Sequence, residues 1–201
     1  MNASLVGKVT MQDDPSGINW LRQEHRPEHR FDEGAVGGPR LRYVVGLGHI
    51  QLRSAVQSDA GEILTLQRAA FVDEARRDND FHLPALTQTL RDLEQELQSS
   101  TAHVAILGAR IVGAVRTRQV EDTLYINRLT VAPDWQGRGV GTALMGAAER
   151  EATAKRASLF VRNYGEHSVS DFYSRLGYVP ADPGGSAQHA ELVRLVKDLT
   201  R

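Results

Sequence analysis

The 201-residue chain contains no cysteine. That excludes a disulfide framework, a thiolate-ligated zinc site and a cysteine nucleophile, and it agrees with a reducing compartment. No stretch approaches the roughly 18 apolar residues that a membrane-crossing helix needs. The opening MNASLVGKVTMQDD lacks the apolar segment of a secretory leader. The expectation is a cytoplasmic protein with no membrane partner. An excess of one charge is missing too: 24 Lys plus Arg stand against 25 Asp plus Glu, for a net charge of −1. Non-specific nucleic-acid binding needs a positive surplus, so no nucleic-acid partner is expected. What is present, 41% hydrophobic and 24% charged residues, is a globular balance with a sizeable core.

The first 48 residues differ from the rest. They hold 7 of the 18 glycines and 3 of the 7 prolines, their charges cancel six against six, and apolar periodicity is weak. This predicts a tail or loosely attached arm over 1–48 and an ordered domain over 49–201. His25 and His29 stand four apart, but Pro27 between them disfavours the helix that would align them on a metal. No metal site is expected.

From His49 onward the periodicities are clear. His49–Ala55 alternates as a strand, and Asp59 with Glu62 resembles a capping box opening a helix over about 59–76. Residues 76–83 read as a loop. Pro84 opens a second helix in which Leu86, Leu90, Leu93 and Leu97 form one stripe. The period then switches to two: strands over 102–107 and 111–118 flank a Gly108-Ala109-Arg110 turn, and a third covers 124–131. A glycine-rich loop leads into an Ala-rich helix over about 139–154. A strand at 158–161, a short helix at 168–176 and a strand at 190–199 follow. This order predicts an α/β (α+β) fold, a mixed sheet with helices on its faces.

The chemistry concentrates in Gln136-Gly137-Arg138-Gly139-Val140-Gly141-Thr142, between a strand and a helix. A helix start leaves unpaired N–H groups with partial positive charge. Glycines there admit a ligand close to the backbone, and Arg138 adds a full charge. The combination predicts a phosphate or diphosphate held by main-chain amides. A P-loop would need Lys before Thr142, where Gly141 stands. A dinucleotide fingerprint lacks its third glycine, although Arg162 lies where a reader of a 2′-phosphate could sit.

A third reading comes from resemblance. The strand Leu129-Thr130-Val131-Ala132-Pro133, followed by Gln136-x-x-Gly139-x-Gly141, resembles the signature of the GCN5-related N-acetyltransferase (GNAT) family. The later Phe172-Tyr173-Ser174-Arg175-Leu176-Gly177-Tyr178 resembles a second segment of that family, and the element order from His49 agrees. The resemblance implies a mixed central sheet with helices on both faces and a parallel strand pair that splays apart at a cleft for acetyl-CoA. It implies main-chain contacts from Leu129 and Val131 to the pantetheine arm, and Gln136, Gly137, Arg138, Gly139, Val140, Gly141 and Thr142 around the diphosphate. Asn163, at the end of the following strand, is implied as a further cofactor contact, at a spacing from Tyr173 longer than the family's usual one, which falls at Glu166.

The implied activity is direct acetyl transfer to an amine of a small-molecule or peptide acceptor, with homodimerisation common among relatives. Tyr173 matches the family tyrosine that protonates the departing thiolate. Many relatives carry a glutamate base on the strand before the loop, but Asn127 and Arg128 stand there, and 123–131 contains no carboxylate. Asp73, Glu74, Asp78, Asp80 and His82, expected in the loop beside the acceptor pocket, are the substitutes, with Glu74 preferred. These acids favour a cationic acceptor. A non-catalytic acyl-CoA-binding module and an NADP-dependent enzyme are the alternatives. His103 and His189 read as structural.

Overall fold

The computed structural model describes residues 43–44, 50–162, 170–181 and 192–200. Among these residues eight strands form one sheet: β1 (Tyr43–Val44), β2 (Ile50–Ser54), β3 (Thr101–Leu107), β4 (Arg110–Val120), β5 (Thr123–Val131), β6 (Arg156–Arg162), β7 (Val179–Pro180) and β8 (Leu192–Asp198), in the order β1-β2-β3-β4-β5-β6-β8-β7. Every neighbouring pair is antiparallel except β5 and β6. The helices are α1 (Ala60–Asp78), α2 (Pro84–Thr87), α3 (Leu90–Ser99), α4 (Val140–Glu151) and α5 (Ser170–Arg175). Within the segment expected as an arm, Tyr43 and Val44 pair with Leu52 and Gln51; the other residues of 1–48 lie outside the described residues.

Helices cover both faces of the sheet. Ala102, Val104, Ala114 and Arg116 face α1 and α3, while His103, Ala105, Gly113 and Val115 face α4, as the two-residue alternation requires. On the α4 side the helix offers Leu144, Ala147 and Ala148, all buried. Its closeness to the sheet depends on Gly113: a Cβ there would fall 2.8 Å from both Leu144 Cδ1 and Val140 Cγ1. Burial of Leu144 alone is worth about 1.5–3 kcal/mol.

The turns follow their residues. Gly108 takes φ +60 in the β3–β4 hairpin, the left-handed region open to glycine. Asn79 ends α1 in the left-handed conformation, its N–H reaching the Ala75 and Arg76 carbonyls.

Three expectations are corrected. The capping box at Asp59 is not formed: Asp59 accepts from Val56 N–H at 2.8 Å and from both Arg53 Nη atoms, closing a 3-10 turn over Gln57–Asp59. Glu62 instead accepts from Ile111 N–H at 2.6 Å, pinning α1 to the start of β4. Second, α1 continues to Asp78 instead of ending near 76, so Asp78 joins Asp73 and Glu74 on the helix rather than lying in a 76–83 loop. Third, the leucine stripe is divided between two helices. Gln88 takes ψ 131 and Thr89 begins a new helix with its own cap, leaving Leu93 buried and Leu90 44% exposed. The break costs the stripe one member but frees Gln88 for a polar network described below.

Candidate active site

The parallel ladder between β5 and β6 is short. Thr123, Leu124 and Tyr125 pair with Arg156, Ala157 and Ser158, after which pairing stops although β5 runs on to Val131 and β6 to Arg162. Among the described residues the two strands therefore part along a cleft. The other edge of β5 remains paired with β4. Ala132 N–H donates to the Val112 carbonyl, so the alternation of an antiparallel ladder turns the main-chain groups of Val131 away from β4 and toward the cleft.

A bulge sharpens β5 just below. Ala114 pairs with Thr130 and Arg116 with Asn127, so Val115 faces two residues, Arg128 and Leu129. Arg128 absorbs the irregularity at φ +48, a conformation that costs a non-glycine residue roughly 1–2 kcal/mol. Asn127 stands across from Arg116, on the face toward α1 and α3.

Above the cleft lies the glycine turn. Gly137 and Gly139 have φ +70 and +83, and Gly139 is the N-cap of α4 with no side chain capping the helix. No acidic residue occupies the first turn. The amides at this helix start are thus left to an external partner. Gly141 has a different reason to be glycine: a Cβ would meet Phe172 Cζ at 3.2 Å and Leu129 Cδ2 at 3.7 Å, so α4, α5 and β5 converge there. Gln136 turns back, its Nε2 donating to the Val131 carbonyl at 3.3 Å. Arg138 lies over the Trp135 ring, 5.0 Å from its centroid, which holds the guanidinium beside the loop. Arg110 and Asp134 form a bidentate exposed pair at 2.8 and 2.9 Å that anchors the turn before it. Thr142 follows in the first turn of α4.

Tyr173 lies on α5, 8% exposed, edge-on to Phe172 at 5.0 Å and to Tyr178 at 5.9 Å. Burial, with the charge of Glu74 adding to it, raises its hydroxyl pKa above the ordinary phenol value. Among the described residues no hydrogen bond is formed by that hydroxyl. Tyr178 is different: it donates to Glu149 Oε1 at 2.9 Å, and Lys197 Nζ donates to Glu149 Oε2 at 2.6 Å. It welds the α5–β7 turn to α4 and β8.

Glu74 sits one turn from the end of α1, 3.5 Å from Arg162 Nε. Asp78 and Asp80 approach the same guanidinium at 3.3 and 3.7 Å. Three carboxylates thus meet the last residue of β6, which engages the side chain that a dinucleotide reading would give to a phosphate. Asp73 and His82 are not part of this ion cluster; Asp80 instead accepts from His82 N–H at 2.9 Å. Asn163 and His189 lie outside the described residues. His103 is buried, its Nε2 2.7 Å from Glu151 Oε2 on α4.

Sequence reasoning missed the polar network under the bulge. Arg116 is 1% exposed. Its Nη2 donates to Gln67 Oε1 at 2.6 Å, and its Nε lies 3.4 Å from Glu96 Oε1. Gln88 Nε2 donates to Glu96 Oε2 at 2.8 Å, and Gln67 Nε2 to the Ala85 carbonyl at 2.8 Å. Burial pulls the Arg116 pKa down to about 10 against the opposing effect of Glu96, with Arg128 pulling the same way as burial. Arg128 is lowered likewise, chiefly by burial, while Glu96 and Glu74 oppose. The available signal was an arginine on the inward face of an apolar strand, in step with Val112 and Ala114.

Residues 71–199 match the sequence model of the family described as "Acetyltransferase (GNAT) domain". Among curated proteins none matches. Among solved structures, a PaiA N-acetyltransferase from Thermoplasma acidophilum in complex with coenzyme A aligns with TM-score 0.62 at 14% identity, over 74% of this chain and 98% of that one. A GCN5-related N-acetyltransferase from Rhodopseudomonas palustris gives 0.60 at 19% identity, over 80% and 99%. The ribosomal-protein-S18-alanine N-acetyltransferase from Escherichia coli gives 0.58 at 14%, over 76% and 95%. At these identities the likeness is one of fold.

Proposed function

Since this chain belongs to the GNAT family of acetyltransferases, we propose that it moves an acetyl group from acetyl-CoA to a primary amine of a small-molecule or peptide acceptor, the work of a domain over 49–201. One observation supports this above the others: an uncapped, glycine-started α4 follows β5, the strand whose pairing with β6 stops at Tyr125. The residues present fit coenzyme A. Amides of Gln136 to Thr142 would take the diphosphate, assisted by the α4 dipole and Arg138. Main-chain groups of Leu129 and Val131 would take the pantetheine arm, and Asn163 would add a contact from beyond β6.

Acetyl-CoA supplies an acetyl group activated as a thioester. The protein's part is to hold, orient and move protons. In this reading Tyr173 carries the proton destined for the departing sulfur. A raised pKa keeps that proton in place until a strong base forms beside it. Glu74, whose charge reaches Tyr173, receives the acceptor's ammonium or its proton. In this reading a carboxylate from the last turns of α1 replaces the strand acid that 123–131 lacks.

Calorimetric titration with coenzyme A, followed by thiol release from acetyl-CoA across an amine library, tests the proposal. Micromolar binding and turnover of at least one amine are expected. Tyr173→Phe should lower turnover about 100-fold or more with little change in acetyl-CoA affinity. Equal turnover would remove Tyr173 from the mechanism.

A further inference from the structure

Nothing grips the Tyr173 hydroxyl directly: among the described residues it forms no hydrogen bond. Its direction is set by what holds the ring and the backbone beneath it. The ring stands edge-on to Phe172 at 5.0 Å and to Tyr178 at 5.9 Å. The Tyr173 carbonyl accepts from the Leu176 and Tyr178 N–H groups, both at 3.0 Å. Tyr178 therefore holds Tyr173 twice, by its ring and by its amide, across the turn that Gly177 makes at φ +87.

Tyr178 is itself fixed from outside this turn. It is 1% exposed, and its hydroxyl donates to Glu149 Oε1 at 2.9 Å. A phenol buried this deeply needs a partner for its hydroxyl, and a carboxylate gives it a charge-assisted bond. Lys197 Nζ takes the other oxygen of Glu149 at 2.6 Å and stands 5.5 Å from the Tyr178 ring centroid. With one donor on each oxygen, the carboxylate is held in a single orientation. Glu149 belongs to α4. Eight residues earlier on the same helix, Gly141 meets the other ring beside Tyr173: a Cβ there would lie 3.2 Å from Phe172 Cζ. Both rings that flank Tyr173 thus rest on α4, at points about 12 Å apart along its axis. The helix whose open start faces the diphosphate in the proposed function also carries the two supports of the proton donor.

We propose that Glu149 is a positioning residue for acetyl transfer: through the Tyr178 hydroxyl it holds Tyr173 at a fixed place relative to the start of α4, and so relative to the thioester sulfur of bound acetyl-CoA. This rests on the reading of Tyr173 as the proton donor. Glu149 acts on geometry and not on binding. Displacing a reacting group by about 1 Å costs on the order of 100-fold in rate, and loosening one hydroxyl bond behind it should cost part of that.

The test uses the full-length protein, coenzyme A as the binding probe, and acetyl-CoA with whichever amine of the library is turned over. Tyr178→Phe keeps the ring and removes only the hydroxyl. It should lower kcat about tenfold and leave coenzyme A affinity within about twofold. The deciding comparison is the same substitution in Tyr173→Phe protein, which has no proton donor left to misplace. There it should change kcat less than about twofold. Glu149→Gln removes the charge that grips both donors and should show the same split, which decides the question even if Tyr178→Phe fails to fold. A fall by the same factor with and without the Tyr173 hydroxyl would make the Glu149 clamp a prop of the fold and overturn the inference. Unchanged kcat in both variants would overturn it too, and either result leaves the proposed function standing. Full turnover in Tyr173→Phe would remove the donor, and this inference with it, while amine turnover still supported the function. Failure to bind coenzyme A, or to acetylate any amine, would overturn both.

Discussion

Helix α3 opens on Thr89, whose hydroxyl accepts from Asp92 N–H at 3.2 Å while Asp92 Oδ2 accepts from Thr89 N–H at 3.0 Å. Helix α4 opens on Gly139, which has no side chain to offer. Both starts face the same physical problem, four N–H groups without intrahelical partners. The first solves it internally with a reciprocal pair. The second leaves it open and adds glycines that clear space, a stacked cation in Arg138, and no carboxylate in the first turn. A helix start that serves only the fold closes on itself; one that serves a ligand must be kept from doing so, and glycine is the residue that prevents it.

The most severe way to break this contrast is to give α4 the cap it lacks. Gly139→Asp supplies a side-chain acceptor and a negative charge where the diphosphate should lie. Asp tolerates the left-handed region better than most residues, so the fold should survive with a modestly lowered Tm. Coenzyme A affinity should fall about 100-fold or more, about 2.7 kcal/mol, read by calorimetry. Retained affinity would mean that the α4 amides do not hold the diphosphate. Arg138→Ala should act in the same direction more gently, about tenfold at low salt. The difference should narrow as ionic strength rises, because the guanidinium works through an exposed, screened interaction.

How far the sequence foretold this contrast depends on the range of the signal. The strands β2 to β6, the hairpin at Gly108 and the start of α4 are local patterns, carried by alternation and by glycine, and they were legible. The two helix caps were read the wrong way round for a tertiary reason. Asp59 and Glu62 have the spacing of a capping box, but Arg53 and the Ile111 N–H compete for them more effectively. Thr89 and Asp92 form the real one inside what read as a continuous leucine helix, because the stripe of Leu86, Leu90, Leu93 and Leu97 outweighed a polar Gln88-Thr89 pair. Gly113 was invisible as a contact point, since its meaning lies in Val140 and Leu144 far along the chain. Arg116 was visible as a charge on an apolar meander, but its partners come from α1, α3 and Gln88 between α2 and α3, and no periodicity announces such a convergence.

The opposite perturbation, opening the closed start, should be milder. Thr89→Ala removes the acceptor for Asp92 N–H and should cost about 1 kcal/mol of stability, measured by denaturant midpoint at unchanged m-value. Coenzyme A affinity should be unaltered. If Thr89→Ala weakened coenzyme A binding as Gly139→Asp does, the division of labour between the two helix starts would be lost.

The smallest effect is a pH dependence. The Thr89 hydroxyl, and after it the Thr89 N–H, hold the Asp92 carboxyl below the usual carboxylate range, with burial opposing and Arg91 assisting. For a carboxyl whose folded value is depressed, the contribution to stability is complete above its unfolded value of about 3.9 and is lost as pH falls through the lower folded value. Asp92→Asn keeps one acceptor oxygen but removes the charge. The wild type should therefore melt higher than Asp92→Asn at neutral pH, with the gap shrinking below about pH 4; a gap constant across that range would separate the Asp92 charge from the cap. Helix α4 has no carboxylate in its first turn, so no matching acid dependence should arise there in the wild type. Gly139→Asp should create one, because its new carboxylate would meet the same orphan amides and hold its proton less tightly than in the unfolded chain. The acid limb of that variant, compared with the limb that Asp92→Asn loses, measures how much anion attraction each helix start possesses before any ligand arrives.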